Sequence, residues 1–375
     1  MIRLFNHLCT SRPLLKKFII NAAGERRYYS SSPCHYGICI DIDGVLIKGT
    51  KVVPETKSAL RFLNGENKLK KKIPFILLTN GGGVTETKKA EELSEKLGFP
   101  IKPSQLTLAH SPMHQLVPMF KDSDVLVIGG VGDNCRIVAE SYGFNRIIIP
   151  NDVLAWKPCI WPFTKLSEDD LKLTKKLDFS NIKIEAIMMF HDSRDWGRDL
   201  QIILDVLRSK DGYLETLASP QELSTRNFPL FFSNPDIIWS NDCIVPRMAQ
   251  GSFRLCLEHL YESLFQKKET GLQLKYTLFG KPETVTYKYA HKLLEDYSFE
   301  ITGQKLPNRR IYAVGDNPAS DIAGANRYGW TSILVRTGVF KGDNHLLNPA
   351  KYVADNILQA VEWMFDQEEK FGMKE

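Results

Sequence analysis

The chain lacks several features that would fix its class at once. No apolar run approaches the 18 or so residues of a membrane span. There is no internal repeat. The seven cysteines, an odd number, include no Cys-x-x-Cys pair and no zinc-ligand spacing, so they read as reduced thiols in a reducing compartment. A complete dinucleotide fingerprint is missing too. Val125-Leu126-Val127-Ile128-Gly129-Gly130-Val131-Gly132 looks like a strand entering such a loop. The third glycine position is Cys135, however, and no acid closes a second strand in the expected place. That stretch reads as a structural turn. Charge of one sign is scarce outside the first 34 residues. Those hold Arg3, Arg12, Lys16, Lys17, Arg26 and Arg27 against Glu25 alone; removing them from 49 basic and 44 acidic residues leaves 43 of each. A neutral body offers no basic face, so no nucleic-acid partner is expected.

What is present is a soluble composition, 43% hydrophobic and 25% charged, over 375 residues, more than one typical domain. The segment 1–33 is basic, poor in acids, rich in Ser and interleaved with Leu, Phe and Ile, the composition of a mitochondrial transit peptide. Arg27-Tyr28-Tyr29-Ser30 resembles a matrix-processing site, which places the mature chain in the mitochondrial matrix. The alternative is an untargeted tail.

The informative stretch is Tyr36-Gly37-Ile38-Cys39-Ile40-Asp41-Ile42-Asp43-Gly44. Alternation along a strand puts Asp41 and Asp43 on one side at the end of an apolar run. Two adjacent carboxylates at a buried strand end raise each other's pKa, and a cation is the usual compensation. Asp-x-Asp-Gly is also ordinary turn chemistry. Three later strands repeat the design. Ile73 to Leu78 ends in Thr79-Asn80-Gly81, whose amides can form an anion nest ahead of a helix from Glu86 to Leu97 closed by Gly98. Leu274 to Phe279 ends at Gly280-Lys281-Pro282. Arg310 to Val314 ends in Gly315-Asp316-Asn317-Pro318-Ala319-Ser320-Asp321.

The alternation of strands and helices predicts an α/β chain with a doubly wound, mostly parallel, Rossmann-like sheet. Ligands of such sheets bind beyond the carboxyl ends of the strands, so these groups should meet in one crevice. The expected division is 34–105 and 251–375 for a core, with an inserted α/β cap over 106–250. Ile47 to Val53 reads as a small flap and Ser167 to Asn181 as a solvated helix. Helix 253–264 is expected to carry Phe253, Leu257, Leu260 and Leu264 on its inner face. Asp192, Arg194, Trp196 and Arg198 follow a cap strand at a helix start. They are candidate substrate readers or, equally, a solvent-facing salt-bridged helix start.

The four strand-end motifs, Asp-Ile-Asp-Gly-Val, Leu-Leu-Thr-Asn-Gly, Gly-Lys-Pro-Glu and Gly-Asp-Asn-Pro-Ala-Ser-Asp, resemble those of the haloacid dehalogenase superfamily of hydrolases. The insert with Ser-Asn-Pro-Asp resembles the large α/β cap of its subclass IIA. Asp-Ser-Arg-Asp-Trp-Gly-Arg-Asp resembles the mitochondrial branch named for the cat-eye-syndrome critical region. The resemblance spans about residues 36 to 365. It implies a phosphatase acting on a small phosphorylated metabolite, with Asp41 as nucleophile, Asp43 as general acid and base, and Lys281 as charge neutraliser. Thr79, Asn80 and Gly81 would bind phosphate. Mg²⁺ would be held by Asp41, the Asp43 carbonyl and Asp316, with Asp321 one shell out. The second aspartate and the metal residues argue against a dehalogenase, and the absence of spans argues against a transport ATPase. The large cap argues against a mutase, which stays open; the alternative from another class is a non-catalytic mitochondrial protein that binds phosphorylated ligands, with a tie to glycerophospholipid metabolism implied only by the resemblance.

Overall fold

The structure, a computed structural model, describes residues 35–265, 271–303, 306 and 310–372. The transit-peptide and processing-site expectations lie outside the described residues.

The strands are β1 (Gly37–Ile40), β2 (Ile47–Lys48), β3 (Lys51–Val52), β4 (Phe75–Leu78), β5 (Leu106–Thr107), β6 (Asp124–Ile128), β7 (Arg146–Ile148), β8 (Ala186–Met189), β9 (Leu230–Phe232), β10 (Ile238–Trp239), β11 (Arg247–Met248), β12 (Thr277–Leu278), β13 (Ile311–Gly315), β14 (Thr331–Val335) and β15 (Tyr352–Ala354). They build two large sheets. The first has the order β15-β14-β13-β1-β4-β5 and the second β12-β9-β8-β6-β7, with every pairing in both parallel. This is the expected α/β architecture.

In the first sheet the chain leaves β1 toward β4 on one side and returns through β13 on the other. The order reverses at β1, which opens a crevice at its carboxyl end. The strands are buried on both faces and therefore read as continuous apolar runs. Ile38 and Ile40 join the cluster under helices Thr56–Leu63 and Ile357–Gly372, while Cys39 between them joins the cluster under helix Thr284–Thr302. Helix Glu86–Leu97 forms with the predicted bounds. Thr85 accepts the Lys88 N–H at its start, and Gly98 takes the left-handed conformation at its end. β2 and β3 form the predicted flap.

Three expectations are corrected. β12 joins the second sheet, beside β9, and helix Gln250–Leu264 packs Phe253, Leu257 and Tyr261 into that sheet's core. The boundary between the two sheets therefore falls after β12, near residue 279, rather than at 250. On the same helix Leu260 and Leu264 are exposed, because the buried stripe turns through Tyr261 instead. The polar stretch 167–181 is helical only over Glu168–Lys172. Asp152 then accepts the Lys175 N–H at 2.7 Å, and Phe179 is driven fully into the second core, so the chain cannot continue as a solvated helix.

Candidate active site

The crevice at the end of β1 gathers the strand-end groups. Asp41, Thr79, Asn80, Lys281, Asp316 and Asp321 are all buried. They line one cavity of about 360 Å³ together with Asp43 and Gly81. Lys281 reaches it from the second sheet. Its Nζ donates to Asp41 Oδ1 at 2.5 Å, to Asp321 Oδ1 at 2.6 Å and to the Leu78 carbonyl at 3.1 Å.

Asn80 holds that lysine in place. Its Oδ1 accepts the Lys281 N–H at 2.7 Å, while its Nδ2 donates to the Lys281 carbonyl at 3.0 Å and to Asp236 Oδ2 at 2.9 Å. The Asn80 side chain is thus committed, and only its backbone remains for a phosphate. Thr79 Oγ1 donates to Asp43 Oδ2 at 3.2 Å and accepts the Gly81 N–H at 2.9 Å.

The carboxylates are held by backbone. Asp316 Oδ2 accepts the Val339 N–H at 2.6 Å, and Asp321 Oδ2 the Asn317 N–H at 3.0 Å. Two glycines make room for Asp316. A Cβ on Gly338 would stand 1.7 Å from its Oδ2, and one on Gly44, whose φ is +93°, 2.2 Å away.

Oxygens of Asp41, Asp316 and Asp321 lie within 4.8 Å of one another. Burial pushes the Asp41 carboxyl well above its ordinary range; Lys281 opposes this, and Asp321, Asp316 and Asp43 reinforce it. Burial, then Asp321, pushes Asp316 up to about 8. Three buried acids sharing one lysine are short of positive charge. An all-oxygen set of this kind suits a hard divalent cation such as Mg²⁺. Asp43, expected to offer its backbone carbonyl to the metal, has its side chain directed to Thr79.

The cap closes the cavity with the loop after β8 and the hairpin β10–β11. Asp192, Arg194 and Trp196 line it, as do His191, Trp239 and Met248. Arg198 does not. It donates to Asp199 Oδ1 at 2.8 Å and to Asn151 Oδ1 at 2.5 Å, a structural tie inside the cap that corrects its expected place. The turn after β6 serves this loop. Gly130 donates its N–H to the Asp192 carbonyl at 3.1 Å, and Gly129, at φ +108°, passes so close to the His191 carbonyl that a Cβ would lie 2.0 Å from it.

Cap and core are also joined behind the Thr79–Gly83 loop. Tyr142 OH donates to Glu86 Oε1 at 2.6 Å, Ser111 Oγ donates to the same oxygen at 2.5 Å, and His110 Nδ1 meets Tyr142 OH at 2.7 Å. His110 stacks on Phe190 with ring centroids 5.5 Å apart. Burial drives its pKa down to about 4, and burial does the same to His191. A histidine whose folded pKa lies below its unfolded value near 6.5 contributes stability that is complete above about 6.5 and lost as pH falls toward 4. His110 alone should remove roughly 3 kcal/mol across that window. Between pH 7 and pH 4.5 the urea midpoint of His110→Phe is expected to gain on that of the wild type, whatever the net slope that the raised carboxyls also set. An equal slope in the variant would show that His110 is not the group responsible.

Two family models match the chain: haloacid dehalogenase-like hydrolase over residues 38–145 and HAD-hydrolase-like over residues 278–360. A mitochondrial hydrolase of Saccharomyces cerevisiae is 35% identical over 356 residues, covering 90% of this chain and 97% of that protein. A cardiolipin synthase (CMP-forming)/mitochondrial hydrolase fusion protein of Schizosaccharomyces pombe is 41% identical over 323 residues. That match covers 86% of this chain but 51% of the fusion, so the chain spans about half of that relative's length. Among solved structures, a glycerol phosphate phosphatase of Mycobacterium tuberculosis in complex with magnesium shares the fold. Its TM-score is 0.55 at 18% identity, with 86% of this chain and 76% of that one covered.

A parallel sheet with aspartates at its switch point, under a second α/β layer, defines a capped hydrolase of the Rossmann-like kind. The chain belongs to the haloacid dehalogenase-like hydrolases.

Proposed function

We propose that the chain is a Mg²⁺-dependent phosphatase acting on a small phosphorylated metabolite in mitochondria, through an aspartyl-phosphate on Asp41. The observation that carries this reading is the buried trio Asp41, Asp316 and Asp321, two of which Lys281 bridges, with Asp43 and Thr79 beside it in one cavity. An Asp41 oxygen attacks phosphorus, and the bond from phosphorus to the leaving oxygen breaks. Asp43 gives that oxygen a proton. Asp43 then takes a proton from water. The hydroxide so formed attacks phosphorus, and the Asp41 carboxylate is released. Lys281 neutralises Asp41 and the phosphoryl oxygens, while Thr79 and the backbone of Asn80 and Gly81 hold the others. Mg²⁺ would be held by Asp41, Asp316 and the Asp43 carbonyl, with Asp321 beside them, and would supply charge neutralisation that lets one anion approach another.

Phosphate release from a panel of phosphomonoesters tests the reading. Release with Mg²⁺ and none with EDTA is expected. Tight binding of phosphorylated compounds without release would instead favour the non-catalytic alternative. The mitochondrial part draws on the relatives' names and on the composition of residues 1–33, and the matrix on the latter alone. Import of the full chain and exclusion of a chain lacking residues 1–29 is the expected result, and equal import of both would remove it.

A further inference from the structure

Most acids of the cavity are gathered on its floor. Its upper wall, Asp192 aside, carries the cations Arg194 and Lys89, which the chemistry just proposed does not use. Arg194, at the exposed end of the cap loop, lines the cavity. Its guanidinium meets His191 Nε2 at 3.3 Å and enters no ion pair among the described residues. Lys89, from the core helix Glu86–Leu97, lines the same cavity. Among the described residues its ion pair is with Glu92 alone, at 3.9 Å along its own helix. His191 lies in the field of both cations and is neutral, so it can accept from Arg194 but adds no charge.

Asp195, next in sequence, accepts from Thr164 Oγ1 at 2.7 Å and from the Arg198 N–H at 3.1 Å, and Asp192, though it feels the Arg194 charge, makes no ion pair with it among the described residues. Asp192 Oδ2 turns to His191 Nδ1 at 3.5 Å, and its Oδ1 is buried without a partner, as is Ser193 Oγ on the same wall. Arg194 from the cap and Lys89 from the core line this cavity as two cations against the single carboxylate of Asp192 in the same loop, a surplus that suits an anion.

We propose that Arg194 and Lys89 form a second anion subsite, so that the substrate is a phosphomonoester bearing a further anionic group, carboxylate or phosphate, on its leaving part. The inference rests on the phosphohydrolase reading and deepens it. One ligand group held from both layers also ties the cap to the core over the reacting phosphate, which places substrate recognition and water exclusion in the same contact.

The test compares three substrates of one chain length: propyl phosphate, 3-(phosphonooxy)propanoate and propane-1,3-diyl bisphosphate. In the wild-type protein with Mg²⁺, at least one anionic twin is expected to exceed propyl phosphate about 10- to 100-fold in kcat/KM, chiefly through KM. Whichever twin is preferred identifies the group. In Arg194→Gln that ratio should collapse toward unity, and Arg194→Lys should restore part of it. A wild-type ratio near unity, or a ratio that survives in Arg194→Gln, overturns the subsite. The wild-type comparison needs no variant to fold. Release from propyl phosphate without preference removes this inference alone, whereas no release from any of the three removes the phosphohydrolase reading and this inference with it.

Discussion

Asp41→Asn is expected to release phosphate at least about 1,000-fold more slowly than the wild-type chain, a loss of about 4 kcal/mol of transition-state stabilisation. The amide matches the carboxylate in shape but cannot form the acyl phosphate. Structure should survive the change. Lys281 keeps Asp321 Oδ1 at 2.6 Å and the Leu78 carbonyl at 3.1 Å, so its ammonium remains anchored. The side chain lost is one whose ionisation burial already opposes. A neutral group there relieves repulsion with Asp316 and Asp321, and thermal stability should be equal or higher. Single-turnover phosphate release and a thermal melt on the same preparation check both halves. Wild-type turnover in the variant would show that another group attacks phosphorus.

The site was legible in the sequence because each of its core residues ends an apolar strand. A strand buried on both faces has a run that cannot be mistaken for solvent-facing structure, and the first charged residue after it must lie at the sheet's edge. That logic located Asp41, Thr79 and Asp316. It located Lys281 too, although β12 belongs to the other sheet. A strand of two residues carries no mark of which sheet it will join, and only the partner β9 decides it. Asn80 read as a phosphate ligand, yet its side chain spends its bonds on Lys281 and Asp236, contacts across 201 and 156 residues that no local pattern encodes. Arg198 failed for a related reason. At a helix start it had equal claim to the cavity and to a structural pair, and the neighbouring Asp199, fully inside the cap, took it. His191, Lys89 and Trp239 were not singled out. They line the cavity only because the two layers meet there, and each sits in an element whose own sequence is ordinary. The periodicity of helix 250–264 was right to Leu257 and then misplaced by one position. The stripe Phe253, Leu257 and Tyr261 follows a spacing of four, which the apolar Leu260 and Leu264 obscured.

Lys281→Met is expected to have the largest effect on stability. The side chain is 4% exposed and is the cation in contact with two of three buried acids. Burial works against its charge, but Asp321 and Asp41 outweigh burial and hold its pKa well above the ordinary lysine value, so it is charged throughout the working range. Methionine fills a similar volume and opens no cavity, so the change is electrostatic. Removing one partner of a buried pair costs about 3–5 kcal/mol, because the other is left uncompensated. The acids can respond by holding protons. A carboxyl whose folded pKa is raised contributes stability that is complete below its unfolded value and is lost as pH rises through the folded one. For Asp316 that window already runs from near 3.8 to about 8 in the wild-type chain. Without Lys281 the folded values of Asp41 and Asp316 rise further, and the deficit in EDTA should therefore widen from pH 5 to pH 8. Mg²⁺ supplies the missing positive charge and should narrow the gap by stabilising the folded state that binds it. Turnover should fall about 100-fold or more even with Mg²⁺, since in the proposed mechanism the lysine also neutralises the phosphoryl oxygens. Equal melting of variant and wild type in EDTA at pH 8 would mean that the three acids are not charged against Lys281, and the electrostatic account of the site would fall with it.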